Sequence, residues 1–224
     1  MDNKVKLWDA PVRIVHWSFV GLVPALWLSA ENGRIDLHQT LGLVLLGLVA
    51  FRILWGFFGS DTARFARFVK GPGAVIAYLK GVRSGEEAAP SVGHNAAGGW
   101  SVIALLGLLA AQVTIGLFTQ DVDGIESGPL SYLVSYETAD AMREWHELVF
   151  NAIVGLVVLH VAAIMFYRFV KKDNLIHPMV TGSKRFATAV TAPAMAPLWK
   201  ALPLVLIAGG MAWWISIGAP LGGQ

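Results

Sequence analysis

Residues 143–160 read REWHELVFNAIVGLVVLH. From Leu148 to Val158 almost every side chain is apolar, yet His146 and His160 stand near the two ends, fourteen residues apart. A helix rises about 1.5 Å per residue, so the two imidazoles lie roughly 21 Å apart along its axis. At about 100° per residue, fourteen steps return to within roughly 40° of the starting face. One apolar helix therefore carries two titratable rings on one side, at two depths.

The whole chain explains why that helix is apolar. Its 224 residues are 55% hydrophobic and only 14% charged, and the mean hydropathy is +0.59. That composition points to a multi-pass membrane protein in a lipid bilayer and away from nucleic-acid binding. Nine tryptophans agree with membrane interfaces. The chain has no cysteine. Disulfides, thiolate metal sites, iron–sulfur clusters and covalently attached haem are thereby excluded. The first apolar run, from about Pro11, lacks a persuasive cleavage site and holds His16, so it reads as a retained helix.

Five stretches are long enough to span a bilayer at about 20 residues each: 12–30, 37–58, 97–118, 144–170 and 198–217. Pro24 is expected to kink the first, and Pro203 stands early in the last. Fifteen of the seventeen Lys and Arg residues fall on one side of this arrangement; only Arg34 and Arg143 fall on the other. The positive-inside rule then puts the N-terminus in the cytoplasm and the C-terminus outside. Within the inner loop 59–96, GPGAVIAYLKGV reads as a short interfacial helix. The outer loop 119–143 is expected to hold a short helix at its centre. No internal repeat is apparent.

Depth sorts the histidines. His38 and His146 fall in the outer half, and His16 and His160 in the inner half. Two imidazoles facing each other inside a helix bundle suit a bis-histidine haem, with both axial positions filled and the iron left to carry electrons. Arg52 lies fourteen residues after His38, and Arg13 three before His16, each on the face of its histidine. Both are candidate partners for haem propionates, although snorkelling to the interface is the plain alternative. Gly42, Gly47, Gly107 and Gly155 are small enough for a flat macrocycle to approach, or simply for helix packing. Competing readings of the histidines are interhelical hydrogen bonds, a metal transporter or a cofactor-free membrane anchor. No intramembrane Asp or Glu accompanies the histidines, which counts against transport.

Several blocks together, RIVHW, LHQTLGL, FRILWG, GPGAVIAYLKG, GHNAAGGWSV, GPLSYLVS and KKDNLIHPMVTGSKR, resemble the bacterial cytochrome b561 family, grouped with the di-haem cytochrome b subunits of nickel–iron hydrogenases. The resemblance covers roughly residues 4–186. It implies an all-α membrane protein in the bacterial inner membrane: a four-helix transmembrane bundle holding two b haems, with iron ligands at His16, His38, His146 and His160. It also implies electron transfer between the quinone pool and a periplasmic partner. The expected division is a domain over 1–186, then a linker and an additional transmembrane helix over 187–224, to which no chemistry is assigned. His94, in GHNAAGG at the inner end of the third span, is a candidate for the inner haem or a quinone, or a helix-start residue beside an Asn95 cap. His177 reads as a surface residue, and Tyr78 as a candidate quinone neighbour.

The family hosts several jobs. From Thr119 to Glu147 there are seven acids, Asp121, Asp123, Glu126, Glu137, Asp140, Glu144 and Glu147, against one base, Arg143. Such a field repels superoxide and attracts a cationic protein, so a basic c-type cytochrome or similar soluble carrier is favoured over superoxide:quinone oxidoreduction. A role as the b-type subunit of a membrane-bound hydrogenase stays as an alternative, and plain solvated loop charges are the bland reading of the acids. A homo-oligomer is left open.

Overall fold

The computed structural model describes residues 3–84, 92–121 and 126–220. Asp123 and residues 85–91 of the inner loop therefore lie outside the described residues. Among the described residues, five helices are long and apolar enough to cross a membrane. α1 runs Ala10–Glu31, α2 Ile35–Phe58, α5 Ala96–Gly116, α6 Tyr136–Phe169 and α8 Ala201–Ser216. Between them lie the short helices α3 (Phe65–Phe68), α4 (Pro72–Ser84) and α7 (Ile176–Thr181).

Local chemistry fixes the starts. The Asp9 carboxylate accepts from the Val12 N–H and caps α1, with Pro11 in the first turn. α1 continues as one element through Pro24. Asn95 caps α5 by accepting from the Gly98 N–H at 2.7 Å, as its position beside His94 predicts. α4 is the expected short helix after the Gly-Pro break.

α6 departs from expectation. Its Ser135 cap starts it at Tyr136, eight residues before the expected 144, and a 3-10 turn at Ser131–Leu133 replaces the loop helix. At 34 residues, it is roughly 51 Å long, against about 30 Å of bilayer hydrocarbon. The extra turns project beyond the membrane and turn Glu137, Asp140, Arg143 and Glu144 into helix-surface residues. A second unforeseen feature is a two-stranded sheet. β1 (Lys4–Lys6) pairs antiparallel with β2 (Ser183–Arg185), which pins the N-terminus beside the end of α7.

α2 is the central helix. It packs against α1, α5 and α8, while α6 packs against α5. One apolar cluster joins Leu45, Val49, Leu109 and Ile153 with Ala212 and Ile215 of α8. Another joins Val12, Val15, Phe51 and Trp55 with Leu204 and Ala208 of α8. The fifth spanning helix thus shares the interior of the others. Outward side chains such as Val158, Leu159 and Leu206 are apolar and exposed, the pattern of a lipid-facing surface. We call the end holding the start of α1, the sheet, α3, α4 and α7 the basic end. The opposite end, with the start of α6, is the acidic end.

Candidate functional site

At the acidic end α2 and α6 bring His38 and His146 together, with ring centroids 6.1 Å apart and planes at 72°. Two imidazoles bound on opposite sides of one metal ion, at a metal–nitrogen distance of about 2 Å, have centroids about 6 Å apart. The pair fits that requirement. His38 Nδ1 lies 2.9 Å from the Leu26 carbonyl oxygen of α1. A carbonyl only accepts, so Nδ1 carries the proton and Nε2 keeps its lone pair for a metal. His146 Nδ1 is buried and makes no well-formed hydrogen bond among the described residues, the Gln112 backbone being its polar neighbour.

The rings face a cavity of about 530 Å³ lined by α1, α2, α5 and α6, a size suited to a cofactor. Gly42 lines it, as the small-residue reading anticipates. Gly47 does not: a Cβ there would touch Ala212 of α8 at 3.6 Å, so it serves helix packing. Gly107 and Gly155 have open space beside them. Two contributors were not foreseen from the sequence. A Cβ on Gly116 would lie 2.9 Å from His146 Cε1, so this glycine makes room for the ring. Gln112, buried on α5 with its Oε1 unpartnered among the described residues, lines the same cavity. A lone glutamine in an apolar span was the signal that could have found it.

Glu31, Asp121, Glu126 and Glu147 also border this cavity. Arg143, the one base of the stretch 119–147, is held by Asp140 at 2.9 Å. It also acts electrostatically on Glu144, and one base stands against the several acids of this stretch.

The basic end is built differently. His16 and His160 lie within electrostatic reach of each other, and His16 Nδ1 is buried without a partner among the described residues. His94 joins them. Its ring is packed between Trp8 and Phe68, with centroids 4.6 Å from each, and its Nδ1 is likewise unpartnered. Burial, then the charges of Arg52 and His160, push its pKa down to about 3, so the ring is neutral.

Arg52 is buried. Among the described residues it makes one hydrogen bond, to the Ala63 carbonyl, long at 3.4 Å, and its guanidinium lies 5.5 Å from the Phe65 ring centroid. Most of its five donors are free for an anion. The buried carboxylate of Asp9 acts on it electrostatically, but both Asp9 oxygens are engaged, one by Val12 N–H and the other by Trp55 Nε1 at 2.9 Å. Asp9 and Trp55 were not foreseen. Arg13 is engaged elsewhere: its Nη1 donates to the Val180 carbonyl and its guanidinium packs against Gly182, while its buried Nε has no partner among the described residues. Tyr78 lies on α4, which packs against α5. His177 is exposed, as expected.

Among the described residues, no group of three or more His, Asp or Glu side chains is gathered as a metal cluster. The family model described as prokaryotic cytochrome b561 matches residues 7–182 of the chain. The match stops short of α8, the span that stood outside the resembling blocks. No curated protein and no solved structure matches.

Proposed function

The chain belongs to the prokaryotic cytochrome b561 family, and from that premise we propose that it moves electrons across the bacterial inner membrane through two b-type haems. Membership and the five spans make it a multi-pass membrane protein of a haem-based electron-transfer family. The finer reading rests above all on one observation, the His38–His146 pair with centroids 6.1 Å apart inside a four-helix cavity. In this reading His38 and His146 hold the haem at the acidic end, and His16 and His160 hold the one at the basic end.

Haem, if bound, would be held by these four histidines and would supply one-electron chemistry. The protein residues do the rest. The Leu26 carbonyl fixes the His38 tautomer, Gly116 admits the His146 ring, and Arg52 offers its free donors to a propionate. Arg13 is the weaker candidate for that role, since Val180 already engages it. His94, neutral and wedged between Trp8 and Phe68, borders the region where a quinone would exchange electrons.

The basic end faces the cytoplasm by the positive-inside rule. The acidic end then faces the periplasm, where the excess of carboxylates over bases favours a basic c-type cytochrome over an anionic substrate such as superoxide.

The test is the visible spectrum of the purified protein, reduced minus oxidised, together with its iron content. Two b-type haems per chain are expected. A protein without b-type absorbance would end the haem reading and leave the anchor or transporter alternatives.

A further inference from the structure

α8 lies beyond the residues shared with the family, and the proposed electron path makes no use of it. Its packing on α2, through Ala208 and Ala212 at Gly47, leaves a second cavity of about 630 Å³ between α1, α2 and α8. Ile14, Val44, Phe51, Val205 and Gly209 are among its walls, and it opens sideways. All of these belong to spanning segments, so what reaches the opening is the hydrocarbon of the bilayer. From Ala201 to Ser216 the α8 wall is roughly 22 Å long, more than the roughly 15 Å depth of one hydrocarbon leaflet. A Cβ placed on Gly209 would meet nothing within 4 Å, so the cavity is open against the backbone of α8 there.

The rim at the basic end supplies charge. Lys200 immediately precedes α8. Lys4 and Lys6 are exposed on β1, whose Val5 packs in the same apolar cluster as Leu204 and Ala208. None of the three lysines has an ion-pair partner among the described residues. Asp61, an acid of the same end, is engaged by Arg64, Arg67 and the Ala194 N–H. Trp199 and Leu198 are exposed beside Lys200, at the level where aromatic side chains meet headgroups. An apolar slot opening to lipid, with Lys200 next to its wall residue Ala201 and Lys4 and Lys6 at the same end of the molecule, matches one kind of molecule.

We propose that this groove holds an acyl chain of an anionic phospholipid, drawn from the leaflet at the basic end, with its phosphate facing Lys200, Lys4 and Lys6. The inference does not depend on haem. In the full-length protein, the lipid fixes α8 against α1 and α2 as a third wall.

Native mass spectrometry after exchange into a neutral detergent counts retained phospholipid. Thermal unfolding in mixed micelles with phosphatidylglycerol or phosphatidylcholine reads the headgroup preference. The wild type is expected to retain one phospholipid and to be stabilised more by phosphatidylglycerol. Gly209→Leu fills the slot and should cut retention at least tenfold. Lys4→Gln, Lys6→Gln and Lys200→Gln together should abolish the preference for phosphatidylglycerol while leaving the slot open, and they keep the test alive if Gly209→Leu does not fold. Undiminished retention in a folded Gly209→Leu protein would overturn the proposal. So would a wild type with no retained phospholipid, a retained isoprenoid quinone in its place, or an unchanged preference in the triple variant.

Discussion

At the acidic end an imidazole pair lies in a cavity bordered by Glu31, Asp121, Glu126 and Glu147. At the basic end the imidazoles share the interior with a buried guanidinium, a buried carboxylate and the rings of Trp8, Phe68 and Trp55. α6 supplies a histidine to both, and α1 and α2 supply one each. What differs is the charge around them, because one end collects acids at its rim and the other encloses Arg52, whose charge the buried Asp9 offsets only in part. A nearby cation favours the reduced form of a redox centre and nearby carboxylates favour the oxidised form. The two ends are therefore expected to be separate sites with the higher potential at the basic end.

The largest expected effect tests whether the sites are separate. His38→Ala should lower the haem content from two per chain to one and leave the basic-end spectrum in place, while His16→Ala should do the converse. Pyridine haemochrome quantification with redox-resolved spectra reads both. Loss of both haems from either single change would mean that the halves do not form independently.

The next effect is local to the acidic end. Gly116→Ala would put a methyl group 2.9 Å from His146 Cε1, closer than carbon atoms tolerate, so the ring must move. Less than half of the acidic-end haem is expected to survive. Gly107→Ala is the control, since nothing lies within 4 Å of a Cβ there. Equal behaviour of the two variants would remove Gly116 from the site.

A third, smaller effect sharpens the electrostatic half of the comparison. A unit charge acting over roughly 10 Å at an effective dielectric of about 20 is worth about 1.7 kcal/mol, on the order of 70 mV for one electron. Arg52→Gln should lower the basic-end midpoint potential by about that much, and Arg52→Lys should preserve most of it. Asp9→Asn, whose single amide oxygen keeps the cap of α1 at the expense of the Trp55 bond, should raise it. Potentiometric titration separates these shifts from the acidic-end potential, which should not move. If Arg52→Gln shifts both centres equally, the charge asymmetry does not distinguish them.

Much of this arrangement could be read from patterns that act within one helix. Spans follow from apolar length, the shared face of His146 and His160 from helical period, and the α5 cap from Asn95. Interactions between distant segments were not readable in that way. The start of α6 was placed late because Tyr136–Glu144 is charged and reads as loop by hydropathy. Ser135 and the Asp140–Arg143 pair nevertheless make it helix. The pairing of β1 with β2 joins residues about 180 positions apart, and KVK alone carries too little pattern to announce a strand. Gly116 differs from the other glycines only in facing His146 across a helix interface. Arg13 and Arg52 looked equivalent by spacing, and their neighbours Val180 and Ala63 separate them. The attachment of α8 was equally hidden, since it depends on Gly47 meeting Ala212.

That attachment extends the comparison of the two ends to the fifth helix, with the smallest expected effect. At the acidic end α8 is tied by a neutral bond, Tyr132 Oη donating to the Gly218 carbonyl at 2.6 Å. At the basic end the linker before α8 is clasped by Asp61. Its Oδ2 accepts from the Ala194 N–H at 3.0 Å, its own N–H donates to the Ala194 carbonyl, and Ser60 Oγ accepts from the Ala196 N–H. The Ala194 bond first, and the Arg64 bond next, hold the Asp61 carboxyl below its ordinary pKa. A depressed carboxylate pKa contributes stability that is fully present above the unfolded value, about 3.9, and is lost as pH falls through the folded value. The clasp should therefore hold unchanged from pH 7 to 5 and loosen only below about pH 4. Because the Asp61–Arg64 pair is partly exposed and screened, Asp61→Asn should raise proteolytic cleavage in 187–197 only about two- to threefold at pH 7, and high salt should narrow the difference from wild type. Tyr132→Phe should loosen the opposite end equally at every pH. A linker whose cleavage in the wild type rises between pH 7 and 5, or is unaffected by Asp61→Asn, would show that the Asp61 charge does not hold the clasp and that its neutral bonds and packing suffice.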